Sequence, residues 1–181
     1  MAAPGLSLRL ATEADRRELW RIHSAAVAAF CQSAYSSLEV RTWVDLLRPE
    51  GYLRADVPRT VLVAQRGPRL VGFGQLDAEL GELEALYVEP EEAGHGVGTT
   101  LLTALELVAW RAGARTVNLD ASLNAEPFYQ GRGYLRLHAA RRVLTAEVQL
   151  SCVRMQKRRP TLPRPPGEGR GEGAARPSAE R

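Results

Sequence analysis

The hydrophobic pattern of the first fifty residues predicts one strand and two helices. Leu6, Leu8 and Leu10 alternate with polar residues, which is typical of an edge strand. Thr12 as N-cap and Asp15 in the capping-box position then predict a helix. Its apolar stripe is Leu19, Ile22, His23, Ala26 and Phe30. A second helix is predicted over residues 37–47, with the apolar anchors Leu38, Val40, Trp43 and Leu47.

The rest of the chain reads mostly as strands. Residues 61–65, 70–76 and 82–88 predict a three-stranded meander, and a helix over 97–112 follows a glycine-rich loop. A strand over 116–120, a short helix over 125–131 and a hairpin from 135–144 and 147–155 complete the pattern. This order predicts a single mixed α/β (α+β) domain.

Composition narrows the function classes. The chain has 181 residues, enough for one domain, and its net charge of +3 is too balanced to favour a nucleic-acid partner. No stretch reaches the roughly 18–20 apolar residues of a membrane span, and residues 1–10 do not resemble a secretory signal. Cys31 and Cys152 lack zinc-site spacing, so we expect no metal site, free thiols and a cytoplasmic location.

The C-terminal residues differ from the rest. Residues 160–181 contain five prolines and four glycines but only one large aliphatic residue, Leu162. Such a segment cannot bury enough apolar surface to offset its ordering entropy. We therefore predict a folded domain over residues 1–158 and a disordered tail over 159–181. A passive tail is favoured, with a polyproline ligand around residues 163–166 as the alternative.

The chemistry is concentrated where a predicted strand runs through a glycine-rich loop into a helix. Gly94, Gly96 and Gly98 allow a ligand to approach the backbone closely. The helix start offers unpaired N–H groups and a positive dipole end. Together these features predict a cradle for a phosphate or pyrophosphate.

Other interpretations of this loop are less well supported. A P-loop would need a lysine, which is absent here. A dinucleotide fingerprint would need glycine where Thr99 or Leu101 stands, although Asp120 could serve as its ribose-binding acid. Too few residues follow Asp120 for the remaining units of that fold. A tight glycine turn without a ligand also stays open.

Two motifs resemble the GNAT (GCN5-related) N-acetyltransferase superfamily. Residues 93–98 read AGHGVG and resemble the acyl-CoA-binding motif (Q/R)xxGxG(A). Residues 120–134, DASLNAEPFYQGRGY, resemble the second motif xxSxNAxxFYxxxGF. The resemblance covers roughly residues 6–157. Ala93 departs from the pattern at its Gln/Arg position, so we expect weaker cofactor binding rather than none.

This resemblance implies a fold, a cofactor and a binding site. The fold would be a central, mostly antiparallel mixed sheet flanked by helices, with acetyl-CoA wedged between two splayed strands. The residues implied in cofactor binding are Leu86, Tyr87, Val88, Gly94, His95, Gly96, Val97, Gly98, Thr99, Ser122 and Asn124. Tyr129 matches the family tyrosine that points at the thioester sulfur. Its alternative role is to pack beside Phe128 in the core.

The resemblance also implies direct attack of a neutral amine on the thioester. Deprotonating a lysine-like amine of pKa about 10.4 costs roughly 4–5 kcal/mol at pH 7, whereas an α-amine near 7.7–8.0 needs little help. Glu84 is the candidate base, with Glu82 or water as alternatives. Since a phenol is a weak acid toward a thiolate, Tyr129 is better suited to hydrogen-bonding the departing sulfur.

The acceptor side is less defined. In this family two N-terminal helices form its wall, and the candidate lining residues are His23, Tyr35, Trp43 and Tyr52. Core packing is favoured for His23 and Trp43, and Cys31 reads as an inert core thiol. The resulting hypothesis is an acetyl-CoA-dependent N-acetyltransferase, monomeric or homodimeric, acting on a small-molecule or peptide amine. The alternative is a non-catalytic acyl-CoA-binding or regulatory module.

Overall fold

The computed structural model describes residues 5–54 and 56–160, so almost all of the predicted tail lies outside the described residues. The helices are α1 (Arg16–Phe30), α2 (Ser37–Leu46), α3 (Val97–Arg111) and α4 (Glu126–Gln130). The strands are β1 (Leu6–Leu10), β2 (Thr60–Arg66), β3 (Arg69–Asp77), β4 (Glu82–Val88), β5 (Thr116–Ser122), β6 (Leu135–Val143) and β7 (Gln149–Arg158). Arg159, assigned above to the tail, still donates its backbone N–H to the Arg115 carbonyl at 2.9 Å.

The strands form one seven-stranded sheet in the order β1-β2-β3-β4-β5-β7-β6. Every neighbouring pair is antiparallel except β4 and β5, which are parallel. The helices α1 and α3 both contact β3 and β4. The predicted fold class, a mixed and mostly antiparallel sheet flanked by helices, is therefore confirmed.

Local capping sets the helix starts, and packing decides which helix residues are buried. Ser36 and Glu39 form a reciprocal capping box at the start of α2. The α2 face that faces the core contains Val40 and Trp43, and Leu38 lies on the opposite side of the helix, 58% exposed. Its predicted role as an anchor is wrong because a two-residue offset turns a side chain about 200° around the helix.

The apolar stripe of α1 needs one similar correction. Leu19 and Ile22 are fully buried as predicted, and Val27 joins them. Phe30 is instead 37% exposed because the last turn of α1 reaches the rim of a cleft rather than the core.

Two glycines of β3 let α3 lie directly on the sheet. A Cβ atom at Gly74 would stand 2.5 Å from Cδ1 of Leu105, and one at Gly72 would stand 3.1 Å from Cγ1 of Val97. Real Cβ contacts are longer, so larger residues here would push the helix away. The close packing places the start of α3 beside the end of β4.

The parallel strands β4 and β5 meet at one end only. Their register within the described chain consists of the pair Glu82 and Asn118, next to a 2.8 Å hydrogen bond from the Asn118 N–H to the Gly81 carbonyl. Gly81 has φ +65°, and a Cβ there would lie 2.4 Å from the Thr116 carbonyl oxygen. Beyond this point the strands diverge and leave the edge of residues 84–88 without a strand partner.

Candidate active site

A cleft of about 160 Å³ opens where β4 and β5 diverge; we call it the cofactor cleft. Several residues predicted to bind cofactor line it together with Tyr129: Leu86, Tyr87, Val88, Gly98, Ser122 and Asn124. The unpaired edge of β4 forms one wall and the loop after β5 forms another. An extended ligand with amide groups can hydrogen-bond to such an edge as an added strand would.

Of the predicted cofactor-binding residues 94–99, only Gly98 lines this cleft, and the others lie beside it at the start of α3. Gly94 and Gly96 have φ +79° and +82°, and Gly96 is the N-cap of α3. The Val97 side chain is 1% exposed and belongs to a buried core cluster, so only the Val97 backbone is available to a ligand at the loop. His95 is exposed. Since the first N–H groups of a helix have no intrahelical acceptor, the geometry of residues 94–99 fits a pyrophosphate.

Arg132 is a cation beside this cradle that the sequence analysis missed. Its Nε donates to Oγ1 of Thr99 at 3.0 Å, and its Nη1 donates to the Phe128 carbonyl at 2.7 Å. The guanidinium lies 3.6 Å from the centre of the Phe128 ring. The feature of the sequence that could have identified Arg132 is its position between two glycines of the second motif. Arg132 thus places a positive charge near the α3 start, where Ala93 supplies none.

Tyr129 lies at the inner end of the cofactor cleft. Its side chain packs in the main core, 7% exposed, edge-on to Phe128 and Tyr134. Its hydroxyl has no hydrogen-bond partner in residues 5–54 and 56–160. Burial raises the pKa of Tyr129 above its ordinary value, so the hydroxyl stays protonated. It can therefore donate a hydrogen bond to a ligand atom, besides packing.

A second, larger cleft of about 590 Å³ also borders β4 and shares Tyr87 with the first; we call it the acceptor cleft. Its walls include His23 and Tyr52 on one side and Glu82, Glu84 and Arg142 on the other. A constriction of about 60 Å³ is lined by residues of both clefts, including Tyr87, Tyr129 and Arg142. The two clefts are therefore connected through a small space that Tyr129 also lines.

Glu84 lies on a β-bulge of β4. Leu76 of β3 pairs with Leu83 and the adjacent Gln75 pairs with Ala85, so Glu84 is the extra residue. Oε2 of Glu84 accepts from Arg59 Nε at 2.7 Å and from Gln75 Nε2 at 2.8 Å. Its Oε1 has no hydrogen bond within the described chain. Glu84 lines both the acceptor cleft and the constriction.

The carboxylate of Glu82 is more fully hydrogen-bonded than that of Glu84. Both of its carboxylate oxygens bind the guanidinium of Arg154, one of them at 2.7 Å from Nη2. A proton acceptor needs a free lone pair facing its donor. Of the two candidate bases, Glu84 is thus better placed.

The four predicted acceptor-wall residues have different positions. His23 and Tyr52 line the acceptor cleft and are hydrogen-bonded at 2.8 Å. Trp43 is buried in a core cluster and lines the constriction. Tyr35 lines neither: its hydroxyl donates to the Ser151 carbonyl at 2.6 Å and accepts from the Leu123 N–H at 2.9 Å. Its assignment to the pocket is wrong because these bonds hold it inside.

His23 and Cys31 are both held in their neutral forms. Burial, helped by the charge of Arg142, lowers the pKa of His23 to about 3. The His23 ring stacks on Tyr87 with centroids 3.6 Å apart. Burial raises the pKa of the Cys31 thiol to about 11, as expected for an inert thiol, although Cys31 also lines the cofactor cleft.

Two searches concern other kinds of site. In residues 5–54 and 56–160, no group of three or more His, Cys, Asp or Glu residues is arranged to hold a metal ion. None of the helices described above is both long and apolar enough to span a membrane.

The domain is of the mixed α/β class, with a pair of parallel strands that diverge beside a glycine-rich helix start. Residues 31–158 match the model of the acetyltransferase (GNAT) domain. The chain belongs to the GNAT acetyltransferase family. Membership supports an acyltransferase that uses acetyl-CoA as cosubstrate. A search of curated proteins gave no significant match.

Solved structures show the same fold. A GCN5-related N-acetyltransferase from Rhodopseudomonas palustris is 29% identical, with a TM-score of 0.79 over 87% of this chain and 98% of that one. PaiA N-acetyltransferase from Thermoplasma acidophilum, in complex with coenzyme A, is 20% identical (TM-score 0.70; 88% and 100% covered). YncA from Salmonella typhimurium, with its cofactor acetyl-CoA, is 19% identical (TM-score 0.58; 88% and 98% covered).

Proposed function

We propose that this protein transfers the acetyl group of acetyl-CoA to a primary amine of a small molecule or peptide by direct attack. The observation that carries the proposal is the meeting of two clefts at one constriction beside Tyr129. A cofactor in one cleft and an acceptor in the other can come into contact there.

The residues of the cofactor cleft fit acetyl-CoA. The unpaired edge of Leu86, Tyr87 and Val88 would hold the pantetheine arm, and the N–H groups of residues 94–99 would hold the pyrophosphate. Ser122 and Asn124 would border the arm on the β5 side. When bound, acetyl-CoA would supply a thioester whose acetyl group passes to the amine, with the CoA thiol as second product.

Tyr129 would serve as a hydrogen-bond donor at the sulfur position. Its hydroxyl is protonated and free of partners within the described chain. It lies in a buried setting, where a hydrogen bond to developing charge is stronger than in water.

Glu84 would accept the amine proton, directly or through one water molecule. Its Oε2 is held by Arg59 and Gln75, which fixes the carboxylate in the constriction. An α-amine is partly neutral at pH 7 and needs little help from a base, whereas a lysine-like amine needs several kcal/mol. The contribution of Glu84 would therefore grow with the pKa of the amine.

The first test is binding. Acetyl-CoA and NAD are added separately to the full chain and thermal unfolding is followed. We expect stabilisation by acetyl-CoA, since a ligand that binds only the folded state raises the unfolding temperature. Stabilisation by NAD alone would contradict the proposal.

The second test is turnover. Thiol release from acetyl-CoA is measured across an amine panel and corrected for hydrolysis without amine. Amine-dependent release supports the enzyme. Binding of acetyl-CoA without release on any amine would favour the alternative, a non-catalytic acyl-CoA-binding module. The cytoplasmic location and the monomeric or homodimeric state stay predictions of the sequence.

A further inference from the structure

The acidic side chains around the acceptor cleft are already paired. Arg154 binds Glu82 and approaches Asp120 to 3.4 Å. Arg59, which directly precedes β2, binds Glu84 of β4 at 2.7 Å and Asp77 of β3 at 2.9 Å. Each of these two groups of ion-paired residues contains two carboxylates and one guanidinium. Each group therefore has a net charge of −1 when its carboxyl groups are ionised. The β3–β4–β5 wall of the cleft is therefore mildly negative.

Arg142 is the exception among the charged residues of the acceptor cleft. It lies in β6 and forms no hydrogen bond or ion pair with any residue in the ranges 5–54 and 56–160. Arg48, the other arginine of the lining, donates to the backbone carbonyls of Asp45 and Leu47. The cleft thus contains a guanidinium whose donors have no acceptor in the described structure.

The position of Arg142 is defined by what surrounds it. Burial lowers the pKa of His23 in α1, and the charge of Arg142 adds to this. Burial raises the pKa values of Tyr87 in β4 and Cys152 in β7, and the same charge opposes that rise. It lines the acceptor cleft and the constriction but not the cofactor cleft. Arg142 therefore faces the acceptor, beside the point where the two clefts meet.

An unpaired guanidinium in a concave site is suited to an anion, and its planar donors match a carboxylate in particular. The amine has to reach the same constriction, close to Glu84 and Tyr129. Since Glu84, Tyr129 and Arg142 all line this one space of about 60 Å³, a ligand with its anionic group close to its amine can reach all three. A free α-amino acid has this spacing, whereas the N-terminus of a peptide has an amide next to its α-carbon.

We propose that the acceptor is a free amino acid or a similar amino carboxylate, with its carboxylate bound by Arg142 and its amine directed toward Glu84. This inference rests on the proposed function and narrows its substrate class. The acceptor cleft, about 590 Å³, lies within the roughly 300–1,000 Å³ of small-molecule sites.

The test uses matched acceptors that differ only in the carboxylate: α-amino acids and their carboxamides. Amidation also lowers the pKa of the amine, so a preference for the acid cannot come from easier deprotonation. With the full chain and acetyl-CoA, we expect KM to be at least about tenfold lower for the acid, equivalent to about 1.4 kcal/mol. Arg142→Ala should raise KM for the acid by about 10–100-fold and leave the amide nearly unchanged, with Arg142→Lys intermediate.

Arg141→Ala is the control variant. Arg141 and Arg142 are adjacent and both exposed in β6, but only Arg142 lines the acceptor cleft, because adjacent strand residues point to opposite faces. The Arg141→Ala variant should leave the KM values for the acid and for the amide within about twofold of wild type. This is well under the tenfold change that corresponds to about 1.4 kcal/mol. Circular dichroism and thermal unfolding of each variant show whether the fold is kept.

A calorimetric titration of the same acids and amides into the protein–CoA complex separates the two proposals. Binding of the acid that is lost in Arg142→Ala supports the acceptor class even where no turnover is detected. Acetylation of amides as efficient as that of acids would overturn the acceptor class while leaving acetyltransfer intact. An equal loss of kcat for acid and amide in Arg142→Ala would also overturn it, because Arg142 would then act at the thioester.

Discussion

Arg59 donates from Nε to Oε2 of Glu84 at 2.7 Å and so holds the extra residue of the β4 bulge in one position. Arg59 also binds Asp77 at the end of β3. The carboxylate is therefore positioned by two strands, and one of its oxygens stays available to the acceptor cleft.

Replacing Glu84 tests its role as proton acceptor. Glu84→Gln can still accept hydrogen bonds from Arg59 and Gln75 but cannot take a proton. We expect kcat to fall by about 10²-fold or more, with KM for acetyl-CoA unchanged, because a positioned base contributes in that range. Glu91→Gln is the control, since Glu91 pairs with Arg69 on the surface. A kcat within about threefold of wild type, far below that range, would assign proton removal to Glu82 or water.

Tyr129→Phe removes the hydroxyl at the meeting point of the clefts and keeps the ring in its core position. We expect kcat to fall by about tenfold or more while the Kd of CoA changes little, because the proposed hydrogen bond is to the departing sulfur and not to bound CoA. Tyr134→Phe is the matched control, as its ring packs 5.5 Å from that of Tyr129. An unchanged kcat on the true substrate would remove Tyr129 from the mechanism.

Arg132→Gln tests the charge beside the glycine-rich loop. The guanidinium of Arg132 lies next to Thr99, so its loss should weaken CoA binding by about tenfold at low salt and less at high salt. Calorimetry with CoA and with pantetheine, which lacks the pyrophosphate, measures the effect. Pantetheine binding should not change. An equal loss for both ligands would mean that Arg132 only supports Phe128.

Gly98→Ala should change stability and binding in opposite directions. Alanine favours a helix over glycine by up to about 1 kcal/mol, so unfolding should occur at the same or a higher temperature. The new Cβ would lie 3.3 Å from Cζ of Phe128, whose ring is covered by Arg132, and would narrow the cofactor cleft. We expect weaker CoA binding. Gly51→Ala is the control because nothing lies within 4 Å of its added Cβ.

Asp15 should make the fold sensitive to acid. Hydrogen bonds from Arg9, together with the Thr12 backbone and hydroxyl, hold its pKa at about 2. Because this lies below the unfolded value near 3.8, ionised Asp15 stabilises the fold above about pH 4, and this is lost as the pH falls toward 2. Asp15→Asn should lower the free energy of unfolding by about 1–3 kcal/mol at pH 7. The difference in the free energy of unfolding between this variant and wild type should shrink in acid. Asp56→Asn, at an exposed position, should show neither the loss of stability nor its pH dependence.

Much of the local structure follows from short-range sequence signals. Thr12 marks the start of a short 3-10 turn over residues 13–15 that leads into α1, and Ser36 marks the start of α2. Alternation marks β1 within its observed bounds. The meander of β2, β3 and β4 follows from turn residues and apolar runs. These signals act between neighbours in the chain, so they can be read without the fold.

Packing against distant residues explains the corrections. Tyr35 has an aromatic ring and a hydroxyl group that would suit a pocket. Its two hydrogen-bond partners, however, lie 88 and 116 positions away in the sequence and hold it in the interior. Phe30 and Leu38 differ from prediction because the rim of a cleft and the rotation of a helix decide their exposure. Arg132 and Arg142 gain their significance only from the side chains that surround them.

The sequence by itself determined the element order, the glycine-rich loop before α3 and the family to which the chain belongs, because each rests on contiguous residues. The resemblance implied that two strands splay, but only the tertiary structure decided that β4 and β5 part after Glu82 and Asn118. It alone also placed Glu84 on a bulge beside Arg59, and Arg142 in the acceptor cleft without a partner in the described chain. These features depend on the separation and charge of groups far apart in sequence, and local patterns contain no information about them.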